Sequence, residues 1–282
     1  MSPAAPSSAL ETSPGVLVWW IALSVVSVAN IVMWARAARP HAGDALETPE
    51  ARRIRRLMTF LSAMFTFGCA YRSFLPRAEG QRIVLVDTWI SSVILSRLVA
   101  TVAELSIVGQ WAAFVGHWTK ATRAPWGYLI SRLLVPMIAF AEICSWYTTL
   151  TRDFHGSVIE ESTWAITSSL MTLTLIALWW RRREVRKAFV FASILFNTAY
   201  VMFMVNVDVP MYRARVRADE AVHKPYVSVV EGFLDSARTR VLTRRWVDWK
   251  DEMPWMSLYF SAGVWISIAL IRSPRFEVER NA

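Results

Sequence analysis

Residues 88–116, TWISSVILSRLVATVAELSIVGQWAAFVG, form the stretch of this sequence that best indicates its fold class. Apolar side chains dominate the stretch, and it is longer than the roughly 20 residues that a helix needs to cross the hydrocarbon of a bilayer. Its two charged side chains, Arg97 and Glu104, are costly in hydrocarbon and therefore mark candidate functional positions. The stretch thus predicts both a transmembrane helix and part of a polar site.

Other windows share this apolar character, and together they explain why the chain is 55% hydrophobic with a mean hydropathy of +0.33. Hydrocarbon offers no water to satisfy backbone groups, so such windows must form helices rather than open strands. The alternating segments typical of an outer-membrane barrel are absent from the sequence. The sequence therefore predicts an all-α, polytopic transmembrane helix bundle over residues 15–271, with about seven spans at 15–34, 57–74, 88–116, 127–150, 161–180, 187–210 and 253–271.

Tryptophan supports the membrane prediction, because many of the 15 tryptophans fall near the ends of these windows. An indole ring prefers the headgroup boundary, where its N–H stays hydrated while the ring is half-buried. A soluble protein would have no reason to place tryptophan in this way. The residues concerned are Trp89, Trp118, Trp126, Trp146, Trp164, Trp179, Trp180 and Trp255.

The basic residues predict a cell-membrane protein with its N-terminus outside and its C-terminus in the cytoplasm. Cytoplasmic loops carry an excess of Lys and Arg, and dense arginine clusters follow span 1 (residues 36–56) and span 5 (residues 181–186). Residues 1–14 are small, polar and rich in Pro and Ser, so we expect them to be disordered. Residues 272–282 form a predicted cytoplasmic tail.

The connection 211–252 conflicts with this orientation, because it is rich in Arg and Lys on the predicted outer side. One miscounted span, such as the short window 57–74, would remove the conflict. Within the connection, apolar residues recur at helical spacing, which predicts an amphipathic helix on the outer surface or over the bundle. A surface helix that merely connects two spans is the simpler alternative. The apolar residues are Tyr226, Val229, Val230, Phe233, Ala237 and Val241.

Ionisable side chains inside the windows define the candidate site. Arg97 and Glu142 lie at similar depth, at about 1.5 Å of rise per residue, so their opposite charges should pair. Polar stripes at residues 97–104 and 197–208 should face the interior and line a polar cavity that opens outward, with Glu104 near its floor. Buried Arg–Glu pairs that only lock helices together are the alternative. The predicted ligand-binding residues are Arg72, Arg97, Glu104, Glu142, Asn197, Tyr200 and Asp208.

Three functions fit this pattern. The first is binding or transport of a small molecule or ion at an outward-facing intramembrane polar site. The second is a membrane-embedded enzyme acting on a lipid or quinone-like substrate, with Glu104 or Glu142 as the catalytic acid or base and Arg72 or Arg97 binding an oxyanion. The third is a non-catalytic membrane scaffold or assembly factor that presents the 211–252 connection to a partner.

Several features narrow the partners. The sequence lacks HExxH, GxSxG, P-loop and dinucleotide-binding motifs, which argues against the commonest metalloprotease, hydrolase and ATP-driven classes. Its basic residues flank spans instead of forming one face, which argues against nucleic acid despite a pI near 10.1. The bilayer is the predicted partner, and a small molecule or lipid is the candidate ligand.

Cofactor chemistry has little support in the sequence. No two histidines have helical metal-site spacing, so no metal or cofactor site is predicted, and neither a cofactor nor an oligomeric state is assigned. Cys69 and Cys144 fall at comparable depth and could form a disulfide if their helices touch. Two small, buried, apolar cysteines are the commoner arrangement.

Overall fold

The computed structural model describes residues 12–40, 48–78, 82–121, 124–181 and 187–272. Within these ranges the chain is almost entirely helical, which confirms the predicted all-α bundle. Residues 1–11 of the segment predicted to be disordered, the arginines at 182–186 and residues 273–282 of the predicted tail lie outside the described residues. The helices are α1 (Pro14–Ala38), α2 (Pro49–Phe74), α3 (Val93–Ala121), α4 (Pro125–Thr151), α5 (His155–Arg181), α6 (Lys187–Phe203), α7 (Val209–Ala221), α8 (Val229–Arg238), α9 (Trp246–Trp249), α10 (Met253–Leu258) and α11 (Val264–Ile271), and the strands are β1 (Arg77–Ala78), β2 (Ile83–Val84) and β3 (Val241–Leu242).

Helix starts follow from local sequence. Pro14, Pro49 and Pro125 each occupy the first position of a helix, where the missing N–H of proline costs nothing. Thr48 caps α2, because its hydroxyl accepts a hydrogen bond from Ala51 N at 3.2 Å. These three helices therefore begin in polar or proline-containing turns just before the apolar windows.

Pairs of helices in the later part of the described chain are joined into continuous rods by π-helical turns. Met204–Asp208 links α6 to α7, and Tyr259–Gly263 links α10 to α11. The resulting rods, Lys187–Ala221 and Met253–Ile271, are 35 and 19 residues long. A π-turn widens a helix locally, so each rod departs from regular α-helical geometry at one point. Such turns are often found at functional sites.

Membrane crossing is established by length and composition. Among the described residues, six segments are long and apolar enough to span a bilayer: α1, α3, α4, α5 and the two rods. The chain is therefore a multi-pass integral membrane protein. At 26 residues α2 is equally long, but Arg52, Arg53, Arg55 and Arg56 make its first turns polar. Because α2 packs between α1, α3 and α11, the described chain traverses the bundle seven times.

Alternating helix directions give the bundle two distinct ends. Trp20 Nε1 donates to Phe74 O at 3.2 Å, so the start of α1 lies beside the end of α2. Arg272 Nη2 donates to Ala37 O at 2.8 Å, so the last helix ends beside the end of α1. We call the end that holds Phe74 the capped end and the end that holds Ala37 the basic end. The described basic residues of the latter are Arg36, Arg39, Arg52, Arg53, Arg55, Arg56, Lys120, Lys187 and Arg272.

The described residues of 75–92 and 222–252 cover one end of the bundle, and we call them the cap. β1 pairs antiparallel with β2, and β2 pairs parallel with β3, so the two segments share one small sheet. α8 packs so closely on the end of α4 that a Cβ at Gly232 would lie 1.9 Å from Leu150 O. Arg82 Nη2 donates to Thr149 O at 2.7 Å. These contacts fix the cap on the ends of the membrane helices.

The amphipathic helix in the 211–252 connection is shorter than predicted. Its helical part is Val229–Arg238, whereas Tyr226 precedes the helix and Val241 lies in β3. Residues 211–221 continue the sixth span as part of α7. Over such short stretches the apolar residues of a strand can coincide with the helical period, which is why the pattern extended the helix too far.

A neutral polar network lies in the interior between α2, α3 and α11. Gln110 Nε2 donates to Met58 O at 3.0 Å and to Ser267 O at 3.2 Å, and its Oε1 accepts from Ser267 Oγ at 2.6 Å. Ser267 Oγ also lies 3.0 Å from Ser62 Oγ. All three side chains are fully buried. We call this network the Gln110 node, and it ties three helices together through groups that satisfy one another.

Candidate functional site

Arg97 lies at the centre of a buried group of charged side chains in the half of the bundle nearer the capped end. Its Nη2 donates to Glu142 Oε2 at 2.6 Å and to Glu104 Oε2 at 3.2 Å, and its Nη1 lies 3.8 Å from Glu160 Oε1. Arg72 Nη1 lies 3.8 Å from the other carboxylate oxygen of Glu104. We call these five residues the Arg97 cluster. Their side chains are at most 12% exposed.

The spacing of residues on α3 explains how the cluster forms. Arg97, Thr101 and Glu104 share one face, because residues four and seven apart are neighbours at about 3.6 residues per turn. This face meets α4, where Thr101 Oγ1 donates to Glu142 Oε2 at 2.5 Å and accepts from Trp146 Nε1 at 3.1 Å. The predicted contact between Arg97 and Glu142 is confirmed, and one oxygen of Glu142 receives both donors.

Arg72 joins the cluster to the last rod. Its guanidinium lies 5.5 Å from the ring centroid of Trp255 and 5.7 Å from that of Phe260, which are cation–π distances. Its side chain is only 9% exposed, so its guanidinium group stays inside the bundle and does not extend to the membrane–water interface as that of a snorkelling arginine would. Arg72 therefore couples the Met253–Ile271 rod to Glu104.

The cluster carries more negative than positive groups. Its three carboxylates face two guanidinium groups, and buried charge without a partner is costly, so such a site favours uptake of a proton or a polar ligand. Glu142 Oε1 is buried and has no hydrogen-bond partner among the described residues. Oxygens of Glu104, Glu142 and Glu160 lie within 4.8 Å of one another, a spacing that can hold a cation. The guanidinium of Arg97 already fills that role.

A partly open cavity of about 70 Å³ is lined by α3, α5 and the Lys187–Ala221 and Met253–Ile271 rods. The first rod packs chiefly against α5, whereas the second packs against α1, α2 and α3. Space therefore remains between the rods, and its lining is mainly aromatic and aliphatic. Among the larger lining side chains are Trp111, Trp164, Met171, Phe196, Tyr200 and Tyr259.

Two tyrosines connect this cavity with the Arg97 cluster. Tyr200 and Tyr259 both line the cavity, and the charge of Glu104 acts on both phenol groups. The Tyr259 hydroxyl is buried and has no hydrogen-bond partner among the described residues. Buried hydroxyls normally have a partner, so this one is available to a molecule in the cavity. The Tyr200 ring packs on Trp164 with centroids 6.3 Å apart, which holds it in the cavity wall.

The residues predicted as ligand-binding separate into three places. Asp208 lies in the π-turn of the sixth span, where Glu252 and Arg215 are its charged neighbours. Asn197 lines the cavity and donates to Ser193 O at 2.9 Å. The cavity differs from the predicted outward-opening polar cavity, because its lining is mainly apolar. Of the remaining predicted residues, Tyr200 lines the cavity and Arg72, Arg97, Glu104 and Glu142 meet in the Arg97 cluster.

Glu160 and Glu161 belong to the site but are not among the residues predicted from the sequence. The apolar window of span 5 begins only at residue 161, whereas α5 begins at His155, so both glutamates lie inside the helix. Glu160 reaches Arg97, and Glu161 interacts electrostatically with Glu160 and Asp208. Two adjacent acidic residues one turn before a long apolar run are the sequence feature that indicates them.

The two cysteines play no part in the site as a pair. Cys69 and Cys144 are both described, buried and free, so the disulfide considered from the sequence is absent. Cys69 packs in the hydrophobic core. Both residues act as small apolar side chains.

The site combines an excess of carboxylates, two fixed guanidinium groups and a phenol beside an apolar space. Groups of this kind can hydrogen-bond to a bound molecule and exchange a proton with it. Comparison of this chain with protein-family models, with curated proteins and with solved structures finds no match.

Proposed function

We propose that this integral membrane protein binds a lipid-like molecule from the bilayer and exchanges a proton with its polar end. One observation carries the proposal: the apolar cavity begins one turn beyond Glu104, where Ile107 and Val108 of α3 line it, and it is also lined by Tyr259, the neighbour of the Phe260 ring on which Arg72 packs. Ligand sites typically combine an apolar lining with a few polar groups that orient the ligand. The cavity would hold the first few carbon atoms of the apolar chain while the rest of the chain lies in the bilayer, and the cluster would face the polar part of the molecule.

Entry from the bilayer is supported by the position of the cavity between two lipid-facing rods. Leu195 of α6 and Trp265 of α11 are both exposed, which in a membrane protein means contact with lipid. Because the two rods pack against different neighbours, they can separate slightly without disrupting the remaining helices. A π-turn in each rod supports a functional role for this region.

Glu104 is the residue that we assign to proton exchange. It contacts both Arg72 and Arg97, and its charge acts on both cavity tyrosines. Glu142 is held more firmly, because Arg97 and Thr101 both donate to it. The arginines would keep the carboxylates oriented while the apolar surroundings exclude water, which strengthens electrostatic interactions at the polar end of the ligand.

This proposal corresponds to the membrane-embedded enzyme with a lipid or quinone-like substrate that the sequence predicts as one of three functions. Transport of a small molecule or ion receives less support, because the cavity lining is mainly apolar. A scaffold would gain little from the Arg97 cluster, since buried ion pairs are often no more stabilising than apolar packing. A lipid-like ligand accounts for the cavity and the charges together.

We further propose that the basic end faces the cytoplasm of the cell membrane and that the capped end faces outside. The support is the density of the arginine clusters that directly follow spans 1 and 5 in the sequence, at residues 36–56 and 181–186, since cytoplasmic loops are enriched in such residues close to the helix ends. An N-terminal tag should then be accessible on intact cells, and a C-terminal tag only after permeabilisation. Tags accessible on the same side would contradict seven crossings.

Ligand binding is tested with a photoreactive probe, a hexadecanol derivative with a terminal diazirine, added to the protein in lipid nanodiscs. After illumination and digestion, mass spectrometry locates the labelled peptides. We expect preferential labelling around residues 164–171, 196–200 and 259–266, because these segments line the cavity. Equal labelling of all lipid-facing helices would contradict the proposal.

A pair of variants on α5 makes this test specific. Ser168 lines the cavity and is 4% exposed, so Ser168→Phe should fill the space and reduce labelling of the cavity peptides. Leu173 is 63% exposed on the same helix, so Leu173→Phe should leave labelling unchanged. Thermal stability of each variant in detergent shows that it is folded. Unchanged labelling in folded Ser168→Phe would place the probe outside the cavity.

A further inference from the structure

We propose that the polar end of the bound molecule is an uncharged oxygen group, a hydroxyl or a carbonyl, and that the site rejects carboxylate or phosphate ends. This inference rests on the proposed function and specifies its substrate class. It follows from the partners of the arginines, from the charge balance of the cluster and from the position of the Tyr259 hydroxyl.

Both arginines of the cluster are already engaged. Arg97 contacts Glu104, Glu142 and Glu160. Arg72 faces Glu104 on one side and the rings of Trp255 and Phe260 on the other. Arginine binds carboxylate and phosphate through its fork of N–H donors. Here that fork is directed at carboxylates of the protein itself, so an anionic ligand would have to displace them.

The charge balance also opposes an anion. With three carboxyl groups and two guanidinium groups, the Arg97 cluster has no net positive charge, even when one of its carboxyl groups is protonated. Glu161 and Asp208 add acidic groups in the same region. An anion brought into this low-dielectric space loses its hydration, lies beside carboxylates and finds no excess positive charge in the cluster, and these effects are unfavourable. An uncharged head avoids them.

A neutral oxygen group instead matches the free hydrogen-bonding capacity beside the cavity. The Tyr259 side chain lines the cavity, and its hydroxyl is buried and lacks a partner among the described residues. It can donate to a ligand hydroxyl or carbonyl oxygen, while a protonated carboxyl group of the cluster donates to the same oxygen. An ammonium head could find carboxylate partners in the cluster but has no lone pair to accept the Tyr259 proton.

The experiment compares three probes with the same chain and different heads: hexadecanol, hexadecyl phosphate and hexadecylamine. Each competes with tritiated hexadecanol for the detergent-purified protein at the same low mole fraction of detergent. Ser168→Phe provides the background from partition into micelles. We expect hexadecanol to compete at least about tenfold better than either charged probe, because burying an ion costs several times the free energy of one decade in affinity.

A variant tests the assigned hydrogen bond. Tyr259→Phe should weaken hexadecanol binding about fivefold, as expected for one neutral hydrogen bond. Tyr226→Phe, at an exposed tyrosine of the cap, is the matched control and should bind like the unaltered protein. Hexadecanol binding that Tyr259→Phe leaves unchanged would overturn the role of this hydroxyl.

The outcomes separate this inference from the proposed function. Stronger competition by hexadecyl phosphate or hexadecylamine than by hexadecanol would overturn the inference while leaving a lipid-binding cavity in place. Hexadecanol binding no greater in the unaltered protein than in Ser168→Phe would overturn both. Labelling of the cavity peptides by the diazirine probe distinguishes a ligand in the cavity from one adsorbed elsewhere on the protein.

Discussion

The Gln110 node and the Arg97 cluster are two buried polar networks that share α3, but they differ in charge and in how completely their hydrogen-bonding groups are paired. The node is neutral, and its amide and hydroxyl groups satisfy one another and two backbone carbonyls. The cluster is charged, carries an excess carboxylate and leaves Glu142 Oε1 without a partner among the described residues. The node thus has nothing left to offer a ligand, whereas the cluster does.

The surroundings of the two networks also differ, because the node lies among tightly packed helices and the cluster lies beside a cavity. The Gln110 node lies where α2, α3 and α11 pack tightly, so its hydrogen bonds fix the relative positions of three helices. The Arg97 cluster adjoins a cavity through Tyr200 and Tyr259. Buried polar groups that are fully satisfied specify structure, and partly satisfied ones indicate function. The contrast makes the two networks suitable for matched experiments.

Replacement of Arg97 by Met should give the largest effect. The variant keeps an apolar side chain of similar reach but leaves the three carboxylates of the cluster with Arg72 alone. Removing one partner of a buried ion pair typically costs about 3–5 kcal/mol. We expect that decrease in the free energy of unfolding, measured by chemical denaturation in detergent micelles. Arg132→Met, at an exposed arginine of α4, should change it by less than about 0.5 kcal/mol.

Gln110→Leu should have the next largest effect on the free energy of unfolding and should not affect ligand binding. The substitution leaves Met58 O and the Ser267 hydroxyl without their amide partner, and an unsatisfied buried group costs about 1–3 kcal/mol. Binding of tritiated hexadecanol to the folded variant should not change. Asn206→Leu, at an exposed amide of the sixth span, is the control for loss of an amide. Loss of hexadecanol binding in a folded Gln110→Leu protein would mean that the node also serves the site.

A double-mutant cycle measures how strongly Arg97 and Glu142 depend on each other. Their atoms are 2.6 Å apart, so we expect Arg97→Met and Glu142→Gln to be non-additive by about 0.5–3 kcal/mol in the free energy of unfolding. Residues in contact couple in this way, whereas distant residues do not. Additive effects would show that this contact contributes nothing to stability and would weaken the contrast with the neutral node.

The sequence is sufficient to predict the fold class and part of the cluster. Hydrocarbon imposes helices on long apolar windows, and a constant rise per residue converts position into depth. Arg97 and Glu142 could therefore be paired by depth and sign alone. Position along a helix does not determine which helices are neighbours, however. Gln110 and Ser267 are 157 residues apart, and their contact follows only from the packing of α3 on α11.

Neither the cavity nor the role of Glu160 could be predicted from the sequence, because neither leaves a mark in the hydropathy pattern. A cavity arises where two rods pack against different neighbours, which is a property of the whole bundle and leaves no periodic mark on either rod. Hydropathy windows also exclude the polar first turns of a helix, so Glu160 falls outside the window although it lies inside α5. The cap is still harder to predict, because its strands contain only two residues each and β2 pairs with β3 across a long stretch of sequence.

Glu104→Gln should separate proton exchange from folding. The amide keeps the size of the carboxyl group and resembles its protonated, uncharged form, so we expect the free energy of unfolding to change by less than about 1 kcal/mol. Hexadecanol binding should persist, while the infrared carbonyl band of a protonated carboxyl group in the cluster should be lost or reduced. An unchanged infrared band in this variant would assign proton exchange to another carboxyl group.

The smallest effect on stability should come from neutralising Asp235 in the cap. Its ion pairs with Arg82 and Arg152 are partly exposed, unlike those of the Arg97 cluster. Burial acts to raise the pKa of Asp235, but hydrogen bonds from Thr239 and Arg152 and the charges of Arg152 and Arg82 outweigh it and hold the pKa below its ordinary value. A carboxylate with a lowered pKa in the folded state stabilises that state above its unfolded pKa of about 3.9. The contribution is lost as the pH falls through the lower, folded value. Protection of the α8 amides from hydrogen exchange, corrected for intrinsic rates, should therefore be constant from neutral pH to about pH 4 and should decrease below it.

Asp235→Asn provides the matched variant for this pH dependence. Its amide keeps a hydrogen-bond acceptor for Arg152 and Arg82, whose nitrogens lie 2.7 and 3.1 Å from the carboxylate, but removes the charge. We expect slightly lower protection of α8 at neutral pH and no further decrease in acid. The difference should be small, because the Asp235 side chain is 25% exposed and water screens such pairs, unlike the buried Arg97–Glu142 contact. Identical pH profiles for the two proteins would show that the charge of Asp235 does not hold the cap, and the apolar and backbone contacts of α8 would then suffice.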